Sequence, residues 1–216
     1  MYKLHCFAQS GNCYKVALLL QALQQPWAPL HVPFSEFLSG RVRDQDWRDS
    51  QNIMGEVPIL ESDGKRHTQS AAIMWLLSER HGAFGGRNDD ERQEVMRWLF
   101  FDNHKFTSYF ATWRFMKSFA PTAADPGVAS FLRGRIENAF GIVDRHLTGR
   151  DFIVGDAPTI ADMSLCGYLY YPSDESGYDI ATRYPAMAGW LTRLQRLPGW
   201  KDPYDLMPGE QIAPKW

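Results

Sequence analysis

The spacing of apolar positions along this chain changes character near residue 83. Before it, two periods alternate. Residues 2–7 form a short run of strand-forming residues, closed by Ala8-Gln9-Ser10-Gly11. Val16, Leu19, Leu20 and Leu23 then recur on one helix face, and Pro26 ends that helix. Residues 27–33 read as a second strand, parallel to the first if the helix is its crossover. The polar stretch 35–52 predicts one short helix around Trp47. Residues 57–61 and 65–68 flank Ser62-Asp63-Gly64, whose Asp-Gly pair predicts a tight hairpin turn. Residues 70–80 complete the region as a helix carrying Ile73, Met74, Trp75, Leu76 and Leu77. The order strand, helix, strand, short helix, hairpin, helix describes a small α/β sheet domain over residues 1–82.

Beyond Phe84-Gly85-Gly86-Arg87-Asn88, which has the make-up of a linker, strand signals nearly vanish. Residues 89–119 predict a long amphipathic helix kinked near Thr107-Ser108, and 128–147, 159–171 and 185–197 predict three more. The tail 198–216 holds Pro198, Pro203, Pro208 and Pro214 and reads as coil. Residues 88–216 thus form an all-α domain.

Composition narrows the function. Of 216 residues, 23 are Lys or Arg and 25 Asp or Glu. Before residue 83 there are 8 basic and 8 acidic residues, which leaves 15 and 17 after it, so neither part is a basic nucleic-acid binder. The apolar run around Val16–Leu20 is too short to span a bilayer and lacks the cleavage site of a signal peptide. Cys6, Cys13 and Cys166 are odd in number and scattered, which argues against a disulfide framework and fits a cytoplasmic setting. No His or Cys spacing suits a metal.

Three short motifs could carry chemistry. Ser10-Gly11-Asn12-Cys13 lies where a strand becomes a helix, a junction that offers unpaired N–H groups and the positive end of the helix dipole. Its hydroxyl can cap the helix or donate to an anion, and Cys13 suits a small buried position in the first turn. Glu56-Val57-Pro58 opens a strand with a residue that cannot donate to a ladder. A cis peptide there would turn both backbone groups of Val57 toward an extended ligand, whereas a trans peptide would be an ordinary strand start. Gln69-Ser70 opens a helix, where Ser70 either caps or holds a carboxylate. In the helical half, Thr159-Ile160-Ala161-Asp162 is a capping box and reads as structural.

The order and spacing of these motifs resemble the cytosolic glutathione S-transferase superfamily over essentially the whole chain. Residues 52–58 resemble its N-P-x-G-K/R-V-P run, residues 69–73 its E-S-x-A-I run, and residues 159–162 its S/T-x-A-D box. The resemblance implies a thioredoxin-like domain of βαβαββα order followed by a helical domain that supplies the pocket for the second substrate. It also implies a cis Val57–Pro58 bond, a homodimer, and detoxification chemistry with glutathione as co-substrate and no further cofactor. By the same resemblance, Ser70 and Gln69 hold the γ-glutamyl carboxylate and Val57 pairs with the cysteinyl unit. Arg41 or Arg43, the latter preferred, would meet the glycyl carboxylate.

Ser10 then donates to the thiolate, with Asn12 as a second polar contact. No tyrosine stands at the strand end, so the site is of serine type. Phe106, Tyr109, Phe110 and Trp113 are candidates for the electrophile pocket, although their spacing suits a helical core equally. Ile53, Glu56 and Gln69 depart from the family pattern, and Glu56 removes a cation beside the ligand. Two other activities share these motifs: a glutathione-dependent disulfide or peroxide reductase, in which Cys13 could form a mixed disulfide, and a non-catalytic binding module.

Overall fold

Four strands form one sheet in the order β2-β1-β3-β4 in the computed structural model, which describes residues 1–216. They are β1 (Tyr2–Cys6), β2 (Trp27–His31), β3 (Ile59–Ser62) and β4 (Lys65–Thr68). β1 runs parallel to β2 with Tyr2 opposite Trp27, and antiparallel to β3 with Leu4 opposite Leu60. β3 and β4 form the expected hairpin, with Ile59 opposite Thr68. The parallel pair is linked by α1 (Gly11–Ala22).

Along β1, Tyr2, Leu4 and Cys6 are buried while Lys3 is exposed, the alternation of a strand with two unlike faces. On the more polar face, His5 Nε2 lies 2.9 Å from Glu61, and Arg66 Nε donates to the same carboxylate at 3.2 Å. Helix α4 (Ser70–His81) follows the hairpin and packs beside α1.

Between β2 and β3 lie α2 (Phe34–Ser39), a 3-10 turn at Arg41–Arg43 and α3 (Gln45–Ser50). The sequence predicts only the helix around Trp47. Helix α2 has no apolar period of its own and is held by tertiary contact: Phe34 and Phe37 lie 5.2 and 4.7 Å from the Phe7 ring. β3 begins two residues later than expected, because Pro58 has no N–H for the ladder.

These elements and the segment Pro198–Gln211 make one compact unit; Gly82–Leu197 and Ile212–Trp216 make the other. The sequence assigns the whole tail to the helical domain. Part of it instead returns to the sheet unit, where a short helix packs against α1 and the Tyr14 hydroxyl donates to the Lys201 carbonyl at 2.9 Å.

The helical unit opens with α5 (Asp89–Phe101), capped by Asn88, which accepts the Glu91 N–H at 2.9 Å. The predicted long helix is interrupted by a π-helical turn at Asp102–Phe106 before α6 (Thr107–Ser118), so the break comes earlier than Thr107-Ser108. Buried Asp102 accepts hydroxyls of Thr107 and Ser164, both at 2.5 Å. α7 (Pro126–Leu147) starts on Asp125, with proline at its first position.

α8 (Ile160–Leu165) is shorter than the predicted 159–171 and tightens into a 3-10 turn at Cys166–Tyr168. Two unpredicted short helices follow, α9 (Ser173–Ser176) and α10 (Ile180–Arg183), then α11 (Pro185–Leu194) and, in the returning tail, α12 (Pro203–Leu206). The capping box forms as expected. Asp162 Oδ2 accepts the Thr159 N–H at 2.8 Å, while Oδ1 accepts Ile153 N–H and Trp190 Nε1–H, both at 2.8 Å. Burial pushes the Asp162 carboxyl up, and these donors pull it down. A second buried set joins the Arg114 guanidinium to Glu175, with Tyr171 beneath the cation at 3.7 Å. No helix is long and apolar enough to cross a membrane.

Candidate active site

Strand register brings the three motifs to one end of the sheet. β1 ends at Cys6, and the chain reaches Ser10 four residues later. β3 runs the opposite way, so its first residue, Ile59, lies at that same end opposite His5. β4 finishes there too, because Thr68 faces Ile59, and Gln69-Ser70 follows directly. The Ser10 loop, Val57–Pro58 and the start of α4 are therefore gathered by topology alone.

Ser10 caps α1 in extended backbone conformation, φ −95° and ψ 108°, and its Oγ accepts the Cys13 N–H at 3.2 Å. A hydroxyl that accepts with a lone pair keeps its own proton to give. The cap therefore leaves the Ser10 hydroxyl proton available, so capping does not exclude donation to an anion. Asn12, in the first turn, has its Oδ1 buried without a hydrogen-bond partner, which marks the turn as a place where a polar ligand would be accommodated.

The Val57–Pro58 peptide is cis, as the resemblance implies. Val57 precedes β3, and neither of its backbone groups takes part in the strand register. The loop before it is fixed by Asn52, whose Nδ2 donates to the Glu56 carbonyl at 2.8 Å and whose Oδ1 accepts the Met54 N–H at 3.1 Å. Gly55 has φ +68°, and a Cβ there would lie 2.6 Å from the Val42 carbonyl oxygen, so only glycine fits.

At the third corner, Gln69 holds φ +68°, a left-handed backbone that is unfavourable for a residue with a side chain. Its amide donates to Glu56 at 3.0 Å, which ties the second motif to the third. Ser70 is buried at the start of the twelve-residue α4. Such a helix start presents N–H groups and positive potential to a carboxylate.

The remaining candidates fall elsewhere. Arg43 is exposed in the 3-10 turn, and Arg41 lies 3.9 and 3.6 Å from Asp44 and Asp46. Sequence reasoning missed Arg48. It is half-buried on α3, its Nε lacks a hydrogen-bond partner, and its guanidinium lies against Gly55. Its place one helical turn ahead of the Asn52 loop was the available signal.

Phe106, Phe110 and Trp113 are buried within the helical unit. Phe106 and Phe110 pack on Phe140 at 4.9 and 5.0 Å, and Trp113 Nε1 donates to the Ser176 carbonyl at 2.6 Å. These side chains form interior rather than an accessible wall; on α6, Thr112 is exposed and Tyr109 and Met116 are half-buried. Cys13 is fully buried and its thiol is pushed up to about 12 by that burial, so it has the character of a core residue. All three cysteines are free, and no cluster of His, Cys, Asp and Glu could hold a metal ion.

Residues 4–87 match the family model described as glutathione S-transferase, N-terminal domain, and residues 105–193 match that described as glutathione S-transferase, C-terminal domain. A Rhodopseudomonas palustris protein described as a possible glutathione S-transferase superposes with a TM-score of 0.84 at 29% identity, covering 99% of this chain and 92% of its own. The glutathione S-transferase-like protein OpS6 of Beauveria bassiana is 25% identical over 92% of both chains. Ure2p, in a structure described as a complex with glutathione, shares the fold with a TM-score of 0.79 at 20% identity, over 91% of this chain and 90% of its own. With both halves matched in order, and the sheet and helical units built as the motifs imply, this chain belongs to the glutathione S-transferase superfamily.

Proposed function

We propose that this protein is a glutathione transferase of serine type, which binds glutathione across the three corners of its sheet end and delivers it as a thiolate. The convergence of Ser10, Val57 and Ser70 at one end of the sheet carries this reading, because it brings together a donor for the sulfur, a backbone edge for the cysteinyl unit and a helix start for the γ-glutamyl carboxylate. The α4 start and Ser70 hydroxyl take the γ-glutamyl carboxylate, and Gln69 orients that corner through Glu56. Val57 pairs its backbone with the cysteinyl unit in the manner of an added strand. The glycyl carboxylate falls to Arg48, which has a half-buried cation without an acidic partner, in preference to exposed Arg43.

A free thiol with a pKa of about 8.5 is only a few per cent ionised at neutral pH. Ser10 O–H and the N-terminus of α1 stabilise the anion, so the thiol proton passes to solvent water on binding. The thiolate then attacks an electrophilic carbon. A carbon–sulfur bond forms, and a leaving group such as halide departs with its electron pair. Phe106, Phe110 and Trp113, expected to contact the electrophile, are interior residues of the helical unit and are not assigned that role.

Buried Cys13 gives no support to a mixed-disulfide reductase. Assembly as a homodimer belongs to the same reading. Isothermal calorimetry with glutathione, followed by turnover of an aryl halide, tests it. Binding with conjugation is the expected result, and no heat at millimolar glutathione would leave only the fold.

A further inference from the structure

The returning tail meets the sheet unit at one point that bears on chemistry. Ala8 and Gln9, the two residues before Ser10, lie beyond the last residue of β1 and outside its pairing. The Ala8 N–H donates instead to the Pro208 carbonyl at 2.7 Å, and the Gln9 amide donates to the Glu210 carbonyl. Gly209, between those two acceptors, has φ +126°, a conformation in which side chains are strained. A Cβ on Gly209 would meet Gln9 Oε1 at 3.1 Å, the Ala8 nitrogen at 3.2 Å and the Ala8 Cβ at 3.3 Å. Two of these three neighbours are backbone or Cβ atoms with no freedom to swing away. Loops of this kind are ordinarily mobile; here Ala8 and Gln9 are clamped from a segment two hundred residues away in sequence.

We infer that Pro208–Glu210 holds the Ser10 hydroxyl in register with the bound sulfur, and that Gly209 is a positioning residue acting through Ser10. The inference rests on the reading of Ser10 as thiolate donor. Its chemical basis is distance: a hydrogen bond to an anion weakens steeply when donor and acceptor part by a fraction of an ångström. Widening the Ala8–Gly209 contact moves the loop that carries the donor. The tripeptide's two ends, held at α4 and near Gly55, are left alone. The expected signature is therefore a change in thiol ionisation with little change in glutathione affinity.

The test follows the ultraviolet thiolate absorbance of bound glutathione, and kcat/KM for an aryl halide, as functions of pH. It compares full-length wild type with Gly209→Ala, Gly209→Val and Gln9→Leu. Gly209→Ala is expected to raise the pH of half-ionisation by about one unit and to lower kcat/KM at neutral pH about tenfold. Gly209→Val should exceed it. Gln9→Leu, which adds no bulk at position 209, should shift the midpoint in the same direction by about half a unit. In a Ser10→Ala background, Gly209→Ala should add nothing. A purely structural role would lower the melting temperature and leave the pH midpoint in place; that result in folded Gly209→Ala overturns the inference. Should the Gly209 variants fail to fold, an unmoved midpoint in Gln9→Leu overturns it equally. Absence of thiolate absorbance in wild type would instead remove the Ser10 reading on which it stands.

Discussion

Ser10 Oγ accepts the Cys13 N–H at 3.2 Å, so the same side chain that ends the loop after β1 also begins α1. Its loss has two separable effects. Ser10→Ala removes a helix cap, which costs about 1 kcal/mol of stability, and removes the donor to the sulfur. The melting temperature should fall by a few degrees, while the pH midpoint of kcat/KM moves toward that of the free thiol. Ser10→Asp would keep the cap and place an anion at the sulfur. A stable variant with an even higher midpoint is the expected outcome, read by thermal melts and pH–rate profiles.

Arg48 and Arg43 make opposite predictions. If Arg48 meets the glycyl carboxylate, wild type prefers glutathione over its glycyl ethyl ester, and Arg48→Met abolishes that preference. The loss of a charge-assisted hydrogen bond corresponds to about 1.5–3 kcal/mol, or roughly ten- to a hundredfold in KM for glutathione. Arg43→Met should leave both substrates within about fivefold, the range that about 0–1 kcal/mol for exposed charges allows. Steady-state kinetics with the two thiols decide the matter.

Glu61 gives a pH signature to the sheet itself. The hydrogen bond from His5, assisted by Arg66, holds its carboxyl below the usual carboxylate range. A carboxylate depressed by folding contributes stability above its unfolded pKa and loses that contribution as pH falls through the folded value. Wild type should thus be more stable than Glu61→Gln near neutrality by about 0.5–1 kcal/mol, with the gap closing as pH drops below about 4. Urea titrations at several pH values measure it.

Asp162→Ala leaves Ile153 N–H, Thr159 N–H and Trp190 Nε1–H without their acceptor in a buried place. At about 1–3 kcal/mol for each orphaned donor, the expected cost is at least 3 kcal/mol. The helical unit should then unfold at a lower urea concentration, seen as an early change in tryptophan fluorescence.

The succession of elements along the sheet unit, the hairpin and the capping box were legible because each rests on local chemistry: strand-forming residues in β1, Asp63-Gly64 at the turn, Thr159 paired with Asp162. The cis bond at Pro58 was legible only through likeness to a family, since proline by itself favours trans. What escaped the sequence is tertiary in origin. Helix α2 exists because Phe34 and Phe37 find Phe7. The π-helical turn sits at Asp102 because that carboxylate finds the hydroxyl of Ser164 sixty-two residues away. The identical aromatic spacing on α6 suited a core and a ligand wall alike, and only packing against Phe140 separates them. Gly209 was invisible because it lies in no motif and matters through Ala8 and Gln9, two hundred residues away, whereas Arg48 announced itself only by its place ahead of the Asn52 loop.

The Asp162 carboxylate has a consequence for the order of assembly. A six-residue helix such as α8 is far too short to persist in isolation, and one of the donors that satisfy its cap belongs to Trp190 on α11. Ile153 and Thr159 can supply their donors locally, but the Trp190 donor is missing until a segment twenty-eight positions downstream has docked. A chain that ends before Trp190 would bury this cap with one donor fewer, so the later helix α11 completes what the local sequence begins.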